Sequence, residues 1–228
     1  MSNISVDNLQ GRIAAVVDQN EDVNDIPSSD YSLRLQYMNM ALTEWAEIYD
    51  WQTLYKEYNS LVSTSSGNAS IVLPSDFRKL ASFPKITWDG STTDEFPEVR
   101  PQEDGRYTDN DKRVNIFGNP YDGYILRVKG VELISGASVK VPYYSSPQSL
   151  ASPIDVPQMP NPDYLVQRTV SYIWESREDA RFPQAKVEAE KILRNMIEQE
   201  NVFSEASTFG RIQSADERKN DFRWGRDG

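Results

Sequence analysis

The sequence predicts an α+β protein in which N- and C-terminal helices form a bundle, an antiparallel β region is inserted between them, and an extended arm closes the chain. Three observations predict it. Apolar residues between Tyr31 and Tyr49 recur at helical spacing, the segments between Tyr55 and Tyr144 are β-branched and aromatic runs punctuated by turns, and helical spacing returns beyond the proline-rich "SSPQSLASPIDVPQMPNPD". The expected division is residues 1–54 with 155–203 for the bundle, 55–154 for the β insertion and 204–228 for the arm.

A first short amphipathic helix is predicted over Val6 to Val17. The acidic linker "DQNEDVNDIPSSD" then ends in serines, whose oxygens can accept from the unpaired amides of a first helical turn, so a second helix should start near Ser29. Its apolar residues Tyr31, Leu35, Met38, Leu42, Trp45 and Tyr49 are separated by steps of four, three, four, three and four, which places them on one stripe. That stripe predicts core packing rather than a binding function. The pattern changes from period 3.6 to period 2 at "YDWQTLY".

"LYKEYNSLVS" and "ASIVL" flank the Gly-containing "TSSGN" and predict a hairpin. In "SIVLPSDFRKLASFP" Pro74 cannot donate to a sheet ladder and ends the strand. Ser75 or Asp76 should then cap a single helical turn that swings Phe77 inward and Arg78 outward, with Phe77 plugging the seam against a strand "KLASFPKITW" and locking the insertion to the bundle. Further strands are predicted at "RVNIFG", "YILRVKG" and "ASVKVPYYS", and an exposed acidic loop over Thr92 to Asp111.

Asn161 before Pro162 predicts the start of a helix running to about Ala180, with Leu165, Val166, Val170, Ile173 and Trp174 inward. Pro183 should open a last helix that turns Ala185, Ala189, Ile192, Leu193, Met196 and Ile197 inward, so that the two pack as an antiparallel pair. The remainder, "VFSEASTFGRIQSADERKNDFRWGRDG", has five bases, five acids and few aliphatics, yet it holds Phe203, Phe209, Ile212, Phe222 and Trp224. Such sparse apolar residues cannot build a core. Aromatics interleaved with arginines suit anchors on a partner, and Phe209, Arg211, Ile212, Phe222, Arg223 and Trp224 are the candidate contacts of a docking arm.

Composition narrows the chemistry. The chain of 228 residues has no cysteine and no histidine, which removes thiolate nucleophiles, disulfides, the usual structural zinc sites and imidazole acid–base catalysis. No P-loop, dinucleotide fingerprint, nucleophile elbow or EF-hand loop occurs, so no cofactor is expected. Pro162-Asp163 and the distant Glu217-Arg218-Lys219 echo a carboxylate–lysine metal site only loosely; a helix start and a solvated charge cluster describe them better. The net charge of -11 argues against a surface that grips nucleic acid or anionic membrane. No stretch approaches a membrane span, and "RIAAVV" is too short for a signal peptide, so the chain is expected to stay in the cytosol that makes it.

Three pieces in order, "YMNMALTEWAEIYDWQTLYKEY", the hairpin with "LPSDFRKL", and "PYYSSPQSLASPIDVPQMPNPDYLVQRTVSYIWES", resemble the bacteriophage head-to-tail adaptor proteins (head-tail connectors) of short-tailed and related phages. The resemblance spans roughly residues 30 to 200; the loop 92–111 and the aromatic tail depart from the family pattern. It implies a structural virion protein of the neck, assembled in the host cytoplasm. The implied partners are the portal protein, a tail nozzle or tail tube protein, and further copies of the chain in a twelve-subunit ring. Double-stranded DNA would pass through that ring without specific binding. The arm would reach onto the portal.

Two other function classes stay open at this stage. One is a tail nozzle or neck terminator, which would bind tail components and not the portal. The other is a carboxylate-based cell-wall hydrolase drawing its acid and nucleophile from Asp94, Glu95, Glu98, Glu103, Asp104, Asp109 and Asp111, which a cell-wall lysis assay would reveal.

Overall fold

The computed structural model describes residues 4–19, 22–61, 70–88, 91–131 and 137–221, with side chains as far as Asn201. The chain is α+β and divides into two compact units, residues 1–49 with 148–228, and residues 50–147.

The first unit holds four helices, α1 (Val6–Val17), α2 (Ser28–Ile48), α3 (Asp163–Ser176) and α4 (Phe182–Asp221). α3 is the hub, packing against each of the other three. Its inward residues Leu165, Val166, Val170, Ile173 and Trp174 are all buried, as their spacing predicts. Asn161 caps it, its Oδ1 accepting from the Asp163 amide at 3.0 Å. The helix stops at Ser176, short of the expected Ala180, because Glu178 takes a left-handed conformation (φ 53) that turns the chain into α4.

On α2 the expected stripe is the inner face: Met38, Leu42 and Trp45 are buried, joined by Ala41 and Ala46. Arg34 is buried as well and pairs with Asp18 at the end of α1. The connector before α3 is pinned to α2 by Asn39, whose amide donates to the Leu150 carbonyl (2.9 Å) while its Oδ1 accepts from the Leu150 N–H (2.8 Å).

The second unit is a two-sheet sandwich. One sheet has the order β1-β8-β4-β5, with β3 also on β8; the other has the order β2-β7-β6. The strands are β1 (Tyr55–Leu61), β2 (Ser70–Val72), β3 (Phe77–Leu80), β4 (Lys85–Thr87), β5 (Thr93–Glu95), β6 (Arg113–Asn119), β7 (Gly123–Lys129) and β8 (Ser138–Ser145), and every ladder between them is antiparallel. Ile71, Phe77, Ile86, Phe96, Leu126, Val139 and Tyr143 meet in the core between the sheets.

The pairing corrects the expected hairpin. β1 and β2 lie in different sheets, and the turn "TSSGN" falls outside the described residues. β8 offers β1 a seven-residue register from Tyr55↔Tyr144 to Leu61↔Ser138, far more than the three residues of β2 could supply. The segment "KLASFPKITW" is also two strands rather than one, because Pro84 interrupts it; both halves pair with β8.

The "LPSDF" corner is a β-turn, not a helical turn: the Phe77 amide donates to the Pro74 carbonyl at 2.9 Å, and β3 begins at once. Asp76 does not cap a helix there. Its carboxylate accepts from Lys56 Nζ on β1 (2.6 Å) and from the Tyr143 hydroxyl on β8 (3.0 Å), and its carbonyl accepts from the Ser146 amide (2.7 Å). Arg78, expected outward, keeps only 17% of its side chain exposed.

Candidate partner-binding surfaces

The acidic loop contains more structure than its composition predicts. β5 pairs with β4, Phe96 and Val99 are buried, and Pro101–Arg106 forms a 3₁₀ turn. Two apolar residues inside an acidic stretch therefore anchor it to the sandwich, which corrects the expectation of a wholly exposed loop.

Three of the seven candidate acids are structural ties. Asp94 accepts from Trp88 Nε1 (3.0 Å) and pairs with Lys112. Asp111 accepts from the Thr108 amide (2.7 Å) and hydroxyl (3.0 Å). Asp104 binds Arg113 Nε at 2.7 Å and also pairs with Lys129. Arg113 is buried, and its Nη1 donates to the carbonyls of Thr108 (2.7 Å) and Asp111 (2.9 Å). The Arg113 and Lys129 hydrogen bonds hold the Asp104 carboxyl down to about 2. Glu95 faces Lys85 at 3.4 Å, and Glu98, Glu103 and Asp109 are exposed. Among the described residues no group of three or more His, Cys, Asp or Glu is placed to hold a metal ion.

A pH prediction follows from Asp104. A carboxyl whose folded value lies below its unfolded value, ordinarily about 3.9, contributes stability above that value and loses it as pH falls through about 2. The β unit should therefore weaken between roughly pH 4 and pH 2. Asp104→Asn should remove that part of the acid dependence while lowering stability at neutral pH. Thermal unfolding followed across this range checks it; an unchanged acid slope in the variant contradicts the assignment.

The two outer faces of the sandwich differ. On the β1-β8-β4-β5 sheet the outer face carries matched charges, Lys140 on Glu57 at 2.8 Å and Lys85 on Glu95 at 3.4 Å. On the β2-β7-β6 sheet one half is roofed by the acidic loop, which covers Arg113 and Asn115; the Asn115 amide donates to the Val99 carbonyl at 2.8 Å. The other half carries an apolar row with one arginine laid over it. Val72, Ile125 and Phe117 stand opposite one another across the three strands, Val72 is 68% exposed, and the Arg127 guanidinium lies 4.6 Å from the Phe117 ring centroid.

Beyond this patch the β6–β7 turn presents Tyr121, 97% exposed. The turn is locked by Asn119, whose Oδ1 accepts from the amides of Tyr121 (2.8 Å) and Asp122 (2.9 Å) and whose Nδ2 donates to Asp122 (2.8 Å). Gly118 (φ 115) and Gly123 (φ 85) supply the left-handed backbone that the turn needs. None of these residues was singled out by sequence pattern, although an aromatic amid the turn formers of "GNPYDG" is the signal that could have found Tyr121.

On the helical unit, the outer side of α2 and Tyr172 of α3 enclose an open groove of about 570 Å³, lined by Gln36, Met40, Glu44, Glu47 and Tyr172 among others. The Tyr172 ring packs on Tyr37 (5.6 Å between centroids). Glu44 takes a two-pronged hydrogen bond from Arg168 (2.8 and 2.9 Å) and a third from the Tyr172 hydroxyl (2.6 Å). Burial and that contact with Glu44 push the Tyr172 hydroxyl up to about 12.

Of the candidate arm contacts, Phe209, Arg211 and Ile212 lie on α4, while Phe222, Arg223 and Trp224 fall outside the described residues. As far as Asp221 the segment expected as an extended arm is helix. The reason is compositional: no proline follows Pro183, and Gly210 is the one glycine before Gly225, a cost of about 1 kcal/mol that a helix tolerates. α4 is 40 residues and so about 60 Å long. α3, which pairs with it, has only 14 residues, so α4 is long enough to continue well past that pairing. Among the described residues no helix is long and apolar enough to cross a membrane.

A protein-family model described as SU10 adaptor protein matches residues 4–215. No curated protein matches the chain.

Proposed function

Because the chain belongs to the SU10 adaptor protein family and is therefore a phage adaptor, a structural virion component that interacts with other head–tail proteins, we propose that it forms the ring joining the portal to the tail. The reading is a homo-oligomeric ring, a dodecamer, beneath the portal protein. Its far side receives the tail nozzle or tail tube protein, and its lumen lines the channel through which DNA is ejected. The match over residues 4–215 carries this reading, since it takes in both the helical unit and the sandwich.

Physical features support it. Each copy brings a net charge of -11, so twelve copies make a strongly acidic body. An acidic wall releases no counterions when DNA passes, and DNA slides without sticking. The acids once considered for hydrolysis brace the sandwich in the cases of Asp94, Asp104 and Asp111. The second half of α4 and the residues after it, with Phe209, Arg211, Ile212, Phe222, Arg223 and Trp224, form the arm that docks on the portal.

The test is genetic. Particles assembled without this chain should accumulate as heads that carry no tails and fail to retain packaged DNA, seen by electron microscopy and by nuclease sensitivity. Tailed particles in normal numbers would contradict the reading.

A further inference from the structure

We propose that in the ring the β6–β7 hairpin of each copy docks into the α2 groove of the next copy, with Tyr121 as its knob. The inference rests on the ring reading and names the contact that links neighbouring copies.

The hairpin has the properties of an anchor. Tyr121 is 97% exposed, yet the Asn119 bonds already fix its turn, so little ordering would remain to be done on binding. Beside it Val72, Ile125 and Phe117 form a contiguous apolar patch, exposed at Val72 (68%) and Ile125 (39%) and overlaid by Arg127 at Phe117, while the outer face of the other sheet carries matched charges. Tyrosine and arginine next to an apolar patch are the residue types that dominate protein interfaces.

Charge selects the occupant. Arg127 lies on Phe117 and has no carboxylate partner among the described residues, in a chain with an excess of acids. The α2 groove supplies the complement. Glu44 is already matched by Arg168, but Glu47 beside it has no basic partner among the described residues. Met40, half exposed, provides an apolar floor.

Length agrees with charge. The strand from Gly123 to Arg127 is about 13 Å long at 3.3 Å per residue, and the groove from Gln36 to Glu47 about 16 Å at 1.5 Å per residue. A tyrosine seated at the Gln36–Met40 end therefore lays Arg127 beside Glu47. Hairpin and groove are different surfaces of one chain, so the contact is heterologous, the type that generates a closed ring when the rotation per copy divides a full turn.

The chain has no cysteine, so every disulfide reports an introduced pair. Particles whose adaptor carries both Tyr121→Cys and Met40→Cys, oxidised and then denatured without reductant, should give a ladder of linked copies, and neither single variant should. Monomer alone, with the adaptor still present in the neck, overturns the docking while leaving the ring reading intact. A ladder from Met40→Cys with Trp224→Cys in its place would seat the arm in the groove and also overturn it. If the double variant does not enter particles, the charges decide. Arg127→Glu should lower incorporation about tenfold or more and Glu47→Lys in the same chain should restore it; failure of the second change to restore overturns the proposal. Absence of the unaltered chain from the neck counts against the ring reading instead.

Discussion

Phe77→Ala should destabilise the β unit by about 3 to 5 kcal/mol. Phe77 is 4% exposed and lies between rings of both sheets: Tyr124 of β7 meets it edge-on at 5.3 Å, and Tyr143 of β8 stacks on it at 5.7 Å. Truncation removes the transfer energy of the ring and leaves a void that the two tyrosines cannot close, because each is held by its own ladder. Tyr143 is further fixed by its hydrogen bond to Asp76; burial, and then that bond, push its hydroxyl up to about 12. Phe77→Leu keeps most of the volume and should cost less than about 1.5 kcal/mol. Chemical denaturation followed by near-ultraviolet dichroism measures both; a loss under about 1 kcal/mol for the alanine variant would show that Phe77 does not bridge the sheets.

Trp45→Ala should have an effect of similar size, about 3 to 5 kcal/mol, on the helical unit. Trp45 is fully buried on the inner face of α2, one turn from Ala41 and Leu42, and is among the largest buried side chains in the molecule. The cavity would open on the inner face of α2, the helix that packs on α3 and α1. Helical dichroism at 222 nm should report the loss as a lower denaturation midpoint with an unchanged slope. A variant that unfolds at the same midpoint would place Trp45 on the surface.

Elements that depend on local pattern were legible in the sequence. α1 runs from Val6 to Val17 as its amphipathic stretch predicts, and β6, β7 and β8 follow their β-branched runs between Gly and Asn turns. Partners were not legible. β1 and β2 are adjacent in sequence, but β1 pairs along its whole length with β8, which begins 77 residues after β1 ends (138 − 61). Phe96 and Val99 were hidden by the acids around them, since charge density outweighs two apolar residues in any window average. The aromatics and arginines beyond Asn201 suggest an extended arm, but their spacing carries little helical period, so the helical backbone as far as Asp221 is not legible in them. Arg127 and Glu47 gave no pattern at all, and Tyr121 only an aromatic amid turn formers, because exposure and the presence or absence of a charged neighbour are properties of the fold.

The central claim is that this chain joins the portal as a ring and does so through its C-terminal arm. Native mass spectrometry of the full-length chain mixed with the portal protein of the same virus, beside a chain truncated after Asn201, tests it most directly. The truncation spares every residue of the helical unit that is buried among those whose side chains are described, the last of which is Met196. Full-length chain should add to the portal in ring stoichiometry and the truncated chain should not. Equal binding by both would remove the arm's role, and a portal ring that stays bare with either chain would contradict the adaptor ring itself.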